Sequence, residues 1–341
     1  ATHVFSWVNP DGTFTHLSAT DNDASGHLVK NGQNYPNHAF TLAQAKQMKL
    51  PKMDSGRIFV SVGEPLYIKV VPDANGNVGF AGPNPLNGTD PNIGVRYDWY
   101  EFTYNDAGLW INTTQVDDFG MPLLLDVWGD SASFHQQTGL TETHDSLMAE
   151  YANEVPPEFQ VPVQGQLRIM APGKSTFDVG QVNQHYFDAY VDQVWAQYAS
   201  TTLYVTVGGR NFAGQVTNGD LVFNELDAQG NVVVGGPYTV HKPTTQDILE
   251  GKGTLATGNA TELALEAQIC AAFNRHVMQD STLWGTPGAY YAASPANWYA
   301  KFWHTHGVSG LAYGFAYDDV SNESSTIHTD KPEHMELGIG W

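Results

Sequence analysis

The residues of this chain best suited to chemistry are carboxylates set into a polar strand surface. Glu101 lies in the run Tyr100-Glu101-Phe102-Thr103-Tyr104-Asn105, where aromatic and polar residues alternate, and Asp117 and Asp118 follow sixteen and seventeen positions later. Alternation of this kind gives a strand one aromatic and one polar face. Asp106-Ala107-Gly108 then turns the chain, and in the return run Leu109 and Ile111 alternate with Trp110, Asn112 and Thr114. The apolar faces of paired strands must coincide. That requirement pairs Glu101 with Thr114, Thr103 with Asn112 and Asn105 with Trp110, across a two-residue loop at Ala107-Gly108. A three-residue loop with Gly108 in a bulge would set Leu109 and Ile111 beside Glu101 and is rejected. The resulting face offers hydrogen bonds for hydroxyls, one ring for stacking and an acid, which is what a sugar site needs.

Two carboxyl groups have a specific use on a sugar. Hydrolysis of a glycosidic bond by the inverting route takes one to protonate the leaving oxygen and one to activate water, roughly 6.5–9.5 Å apart. Whichever group serves as the acid must be protonated at working pH, through burial or a neighbouring negative charge, and Glu101 is one candidate carboxyl. Which aspartate would partner it is open: along a regular strand Asp118 shares the polar face of Thr114 and Asp117 does not, unless a bulge or a strand end intervenes. A solvated strand residue and an ordinary turn account for the same letters equally well.

Short β-type runs with turn signals fill the chain to about residue 175, as in Ile58-Phe59-Val60-Ser61-Val62 and Leu66-Tyr67-Ile68-Lys69-Val70-Val71, broken at Asn75-Gly76. This rhythm predicts a β-barrel or sandwich. From about 176 the period changes, and Phe187, Tyr190, Val191, Val194, Trp195 and Tyr198 fall on one helix face. A hairpin follows at Asn218-Gly219. Asn259 with Glu262 starts a helix through Leu265, Ile269 and Phe273. Ser294-Pro295 reads as the start of another, ending near His306 with Gly307 to stop it. The tail Leu311–Tyr317 returns to β and turn character. The expectation is therefore a β domain formed by residues 1–175 and 309–341, with a mixed α/β domain at 176–308 and a cleft between them.

The runs Tyr97-Asp98-Trp99-Tyr100-Glu101-Phe102-Thr103-Tyr104-Asn105 and Trp110-Ile111-Asn112-Thr113-Thr114-Gln115-Val116-Asp117-Asp118-Phe119-Gly120-Met121-Pro122-Leu123 resemble the family 64 glycoside hydrolases, β-1,3-glucanases that include laminaripentaose-producing members. The resemblance is specific over about 60–130 and 310–325. It implies a thaumatin-like barrel beside a mixed α/β domain. It also implies Glu101 as general acid, Asp117 as general base and sugar contacts at Thr103, Asn105, Trp110 and Thr114, to which Asn112 and Asp118 are added from their position on the strand. It places Asp117 rather than Asp118 in the base role, which requires a bulge after Thr114, and it makes Tyr313–Val320 a closing barrel strand. The function so implied is secreted, inverting endo-hydrolysis of β-1,3-glucans of the curdlan or laminarin type to short oligosaccharides, laminaripentaose among them, by a monomer without a cofactor. The alternative is a non-catalytic thaumatin-like β-glucan-binding protein, which would survive Glu101→Gln intact.

Composition excludes other classes. The 36 acidic and 15 basic residues leave a net charge of -21, which repels nucleic-acid backbones and anionic membrane surfaces. A neutral polymer meets no such barrier, and no apolar run is long enough to span a membrane. The chain starts at Ala1 without Met or leader, as expected of a mature exported form. Cys270 is alone and set in an apolar helical run, so packing is its expected role. Asp21–Gly26 imitates half a calcium loop, with Gly32 where a Glu is needed. His304 and His306 are read as helix-end histidines favoured by the dipole. Asp318-Asp319 is a competing carboxylate pair whose simpler role is a turn. Four glycosylation sequons begin at Asn87, Asn112, Asn259 and Asn322; a glycan on Asn112 would cover the sugar face.

Overall fold

A computed structural model describes residues 4–73, 76–131, 134–160, 163–164 and 166–340; Ala1 and Asn75 lie outside them. The architecture is β-rich with α-helices. The chain forms two compact units, one from Ala1–Ile111 with His328–Glu333 and one from Asn112–Ile327 with His334–Trp341. These divisions fall elsewhere than the boundaries expected at 175 and 309. The reason is packing: Phe119, Leu147, Tyr151, Phe159 and Ile169 share one buried cluster with Val191, Val194, Leu265, Ile269 and Phe273.

A four-stranded sheet has the order Ile327–Thr329, Gly108–Thr113, Arg96–Asn105, Met53–Val62. Val95, Tyr97 and Trp99 form a core with Phe59 and Leu66. The register slips between Met53 and Gly56, and Gly56 lies opposite Phe102. A Cβ on Gly56 would stand 2.3 Å from the Phe102 ring, so glycine is the residue that lets this buried phenyl lie flat on the neighbouring strand.

In the second unit, strands Leu203–Val207, Arg210–Thr217, Asp220–Leu226 and Tyr238–Val240 form an antiparallel meander. Helices Asp188–Tyr198 and Ala260–Asn274 pack on it. The hairpin turn is Asn218-Gly219, both at positive φ, as a two-residue primed turn requires. Asn259 and Glu262 form the expected capping box. The helix expected from Ser294-Pro295 begins instead at Trp298, because the Asn297 side chain accepts the Ala300 N–H. It ends at His306, and Gly307 is required there: a Cβ would lie 2.2 Å from the Leu311 carbonyl oxygen. The expected closing strand Tyr313–Val320 is a turn, since the Asp318 carboxylate takes the Gly314 N–H at 2.9 Å and folds the segment on itself. Strands occur later, at Ile327–Thr329 and Pro332–Ile339. Among the described residues no helix is long and apolar enough to cross a membrane.

Candidate active site

Glu101 projects from the middle of Arg96–Asn105, a strand whose alternation is real: Tyr100 and Phe102 are buried, while Glu101 and Thr103 are half-open. Strand Gly108–Thr113 follows after Asp106-Ala107, one residue earlier than the expected Ala107-Gly108. The Asn105 side chain accepts the Ala107 N–H at 2.9 Å and sets this turn. Gly108 opens the strand, and glycine is required there because a Cβ would sit 2.4 Å from the Thr329 carbonyl oxygen. Moving the loop by one displaces each expected pairing by two and leaves the faces as expected. Leu109 and Ile111 are buried, and Trp110 and Asn112 are half-open.

Two donors meet one oxygen of Glu101. Arg57 stands directly across the sheet from Glu101 and brings its Nη2 to 2.9 Å from Oε1. Trp99, two residues back on the same face, donates its indole N–H to the same atom at 3.1 Å. Oε2 has no partner among the described residues. The expected negative neighbour is therefore replaced by an arginine and an indole. Neither was recognised in the sequence; Trp99 was findable by its i, i+2 relation to Glu101, whereas Arg57 required knowing which strand pairs.

The other proposed contacts divide by burial. Thr103 Oγ1 accepts the Ser55 N–H at 3.2 Å, and Asn105 donates to Asp54 at 3.2 Å. Trp110 stacks on His328 with centroids 4.2 Å apart, so one ring face is backed by an imidazole. Asn112 Oδ1 is buried without a hydrogen-bond partner. Thr114 is 3% exposed and accepts the Val116 N–H at 3.2 Å.

No bulge leads to Asp117; the strand ends at Thr113. The segment after it is pinned by Gln115 N–H to the Tyr313 carbonyl at 2.9 Å and by the Tyr299 hydroxyl to the Gln115 carbonyl at 2.6 Å. A new two-residue strand, Asp118–Phe119, then pairs with Arg168–Met170. Asp118 points inward, 2% exposed, and ion-pairs with the buried Arg168 at 2.9 Å. Burial pushes its carboxyl up to about 6, with the arginine pulling the other way. A carboxylate so sealed is an internal ion pair, which removes Asp118 from the sugar contacts expected of it. Asp117, about one-third exposed, has Oδ1 held by Lys174, the last residue of the turn Pro172–Lys174. The Ala171 N–H donates to the Asp117 carbonyl at 3.1 Å and ties that turn to the aspartate. Oδ2 has no partner among the described residues. Nothing in the sequence linked Lys174 to Asp117.

Asp318 is fully buried between Arg275 Nη2 at 3.1 Å and His304 Nε2 at 3.0 Å, so it is an internal anchor; Asp319 is exposed. Burial raises the Asp318 carboxyl, and His304 and Arg275 more than reverse this, leaving it lowered. Glu142, Glu150 and His306 bring donor atoms within 4.8 Å of one another, a set able to hold a cation. An imidazolium at His306, 2.6 Å from Glu142 and 3.3 Å from Glu154, offsets part of this charge. Both helix-end histidines thus face specific carboxylates as well as the helix dipole. In the calcium-like segment Asp21 accepts the Ser18 N–H and Asp23 the Asn34 amide.

The profile of the glycoside hydrolase 64 family, described as Beta-1,3-glucanase, matches residues 1–339. A glucan endo-1,3-β-glucosidase of Arthrobacter sp. (strain YCWD3) is 29% identical over 305 residues, 85% of this chain and 53% of that protein. The relative from Cellulosimicrobium cellulans has the same name and figures. The chain thus spans about half the length of these curated relatives. Its backbone resembles the crystal structure of a family 64 β-1,3-glucanase domain from Clostridium beijerinckii, with TM-score 0.93, 40% identity, and coverage of 100% of this chain and 90% of that one. It also resembles a laminaripentaose-producing β-1,3-glucanase from Paenibacillus barengoltzii complexed with laminarihexaose, with TM-score 0.76, 34% identity, and coverage of 98% and 67%.

Proposed function

The chain belongs to the glycoside hydrolase 64 family, and from that premise we propose that it hydrolyses β-1,3-glucan with Glu101 as general acid and Asp117 as general base. The observation that carries the assignment is the contrast between two neighbouring aspartates. Asp118 is sealed against Arg168, while Asp117 is open and keeps one oxygen without a partner. Only the second can take a proton from water. The resemblance noted in the sequence likewise gives the base role to Asp117.

The mechanism proposed is inversion. The Glu101 carboxyl protonates the glycosidic oxygen as its bond to the anomeric carbon breaks, and water activated by Asp117 attacks from the opposite side. Thr103, Asn105, Asn112 and the Trp110 ring would orient the sugar. A thaumatin-like barrel, release of short products such as laminaripentaose, a monomeric state and action outside the cell on an insoluble polymer complete the proposal. Their support is the likeness to the laminaripentaose-producing enzyme and a net charge of -21 that favours a neutral substrate. The decisive experiment is incubation with curdlan and, separately, with cellulose, sizing the products. Oligosaccharides from curdlan alone are expected; their absence, or equal release from cellulose, rejects the reading.

A further inference from the structure

The two proposed catalytic carboxyls are held in the same manner, by residues to which no role has been given. Arg57 and Trp99 both donate to Oε1 of Glu101, at 2.9 and 3.1 Å, and Oε2 is without a partner. Lys174 donates to Oδ1 of Asp117, and Oδ2 is without a partner. A carboxyl oxygen that already accepts two donors has no room for a proton of its own. Protonated Glu101 must then carry its hydrogen on Oε2. A carboxylate oxygen engaged by an ammonium is the poorer base of its pair, so a proton arriving at Asp117 goes to Oδ2.

We infer that Arg57 and Lys174 are positioning residues that select which oxygen of each carboxyl handles the proton; this rests on the assignment of Glu101 and Asp117 above. In the step so directed, the Oε2 proton passes to the glycosidic oxygen and the bond from that oxygen to the anomeric carbon breaks. The water oxygen forms the new bond to that carbon, and its proton passes to Oδ2. Glu101 ends ionised and Asp117 protonated, and exchange with solvent restores both. Both cations are suited to orienting rather than supporting the fold: Arg57 is 44% and Lys174 31% exposed at the side chain. Arg57 also lies over the Trp99 ring, 5.5 Å from its centroid, which limits its own freedom.

The test uses two substrates, β-1,3-glucan and a 2,4-dinitrophenyl β-1,3-gluco-oligosaccharide whose leaving group needs no proton. Arg57→Gln is expected to lower kcat on glucan by about 10- to 100-fold with KM within about twofold, and to act nearly as wild type on the dinitrophenyl substrate. Lys174→Met should lower kcat on both substrates alike, because water must be deprotonated in either case. Arg57→Lys and Lys174→Arg should recover most of the loss, which a general packing defect would not allow. Glu101→Gln, run in parallel, must show the same dependence on leaving group. If it does not, the assignment of Glu101 itself fails. If it does, and Arg57→Gln is wild-type on glucan or equally impaired on both substrates, only the inference about Arg57 is overturned. Asp117→Ala with added azide is the matching control for Lys174. Rescue of that variant together with wild-type kcat in Lys174→Met overturns the role of Lys174, and no rescue removes Asp117 as the base.

Discussion

At the scale of single residues, Asp117 and Asp118 differ only in surroundings, and substitution should separate them by readout. Asp118→Ala leaves the Arg168 cation buried without its carboxylate, at a cost of about 3–5 kcal/mol. It should therefore lower the midpoint of urea unfolding markedly. Asp117→Ala uncouples only a half-open Lys174 and should unfold near the wild-type midpoint while losing hydrolysis. An Asp118 variant with unchanged stability would show that the pair is not the anchor described. Sequence pattern favoured Asp118 over Asp117, because strand parity was carried past Thr113, where the strand stops. The inward turn of Asp118 depends on Arg168, fifty residues on, and no local spacing encodes a partner at that distance.

At the scale of elements, what was legible is what local chemistry decides. The period of residues 187–198, the primed turn at Asn218-Gly219 and the capping box at Asn259-Glu262 are each complete within a dozen residues, and each is where the sequence puts it. The misreadings have distant causes. Asn297 rather than Ser294 caps its helix, and the Asn297 amide also bonds Asn274 at 2.9 Å, a contact set by tertiary packing. The tail is a turn because Asp318 is drawn inward by Arg275 and His304 from other elements. The polar face around Glu101 was legible because alternation is local, whereas Arg57 reaches it through strand pairing and Lys174 reaches Asp117 through a separate turn. Asn259→Ala is a clean measure of a local device. Losing the acceptor for the Thr261 and Glu262 N–H groups should cost about 1 kcal/mol in urea unfolding, with hydrolysis unchanged. A loss of activity at equal stability would give Asn259 a role beyond the cap.

At the scale of the whole molecule, the helix-end histidines link charge to stability. Burial lowers the His304 pKa and Asp318 more than reverses this; burial likewise lowers His306 and Glu142 with Glu154 more than reverse it, so both are raised above 6.5. A raised histidine contributes stability that is whole below its unfolded value near 6.5 and is lost as pH rises through the folded value. Asp318 and Glu142 are lowered, so their contribution is present above the unfolded carboxylate value and is lost as pH falls through the folded one. Stability should therefore decline from pH 6 into the mildly alkaline range. His306→Gln should flatten that decline when unfolding is measured at each pH. An unchanged slope in the variant would show that His306 is not a source of it.

The net charge of -21 and the proposed chemistry meet in the last prediction, which concerns the product. The proposed joint action of Glu101 and Asp117 on one bond is tested most directly by the stereochemistry it produces. If the two carboxyls flank the bond with room for a water, roughly 6.5–9.5 Å apart, Asp117 cannot attack carbon itself. The first product of a β-linked glucan is then the α-anomer, visible by proton NMR before mutarotation, and no glycosyl-enzyme accumulates. A β-anomer appearing first would mean carboxyls about 5 Å apart and a retaining enzyme, with Asp117 as nucleophile. Because the proposed substrate is uncharged, KM should stay within about twofold as salt is raised, since screening acts on charged partners. The same spectra recorded at low and high salt therefore report one anomer at one rate, and a steep loss with salt would point to a charged substrate.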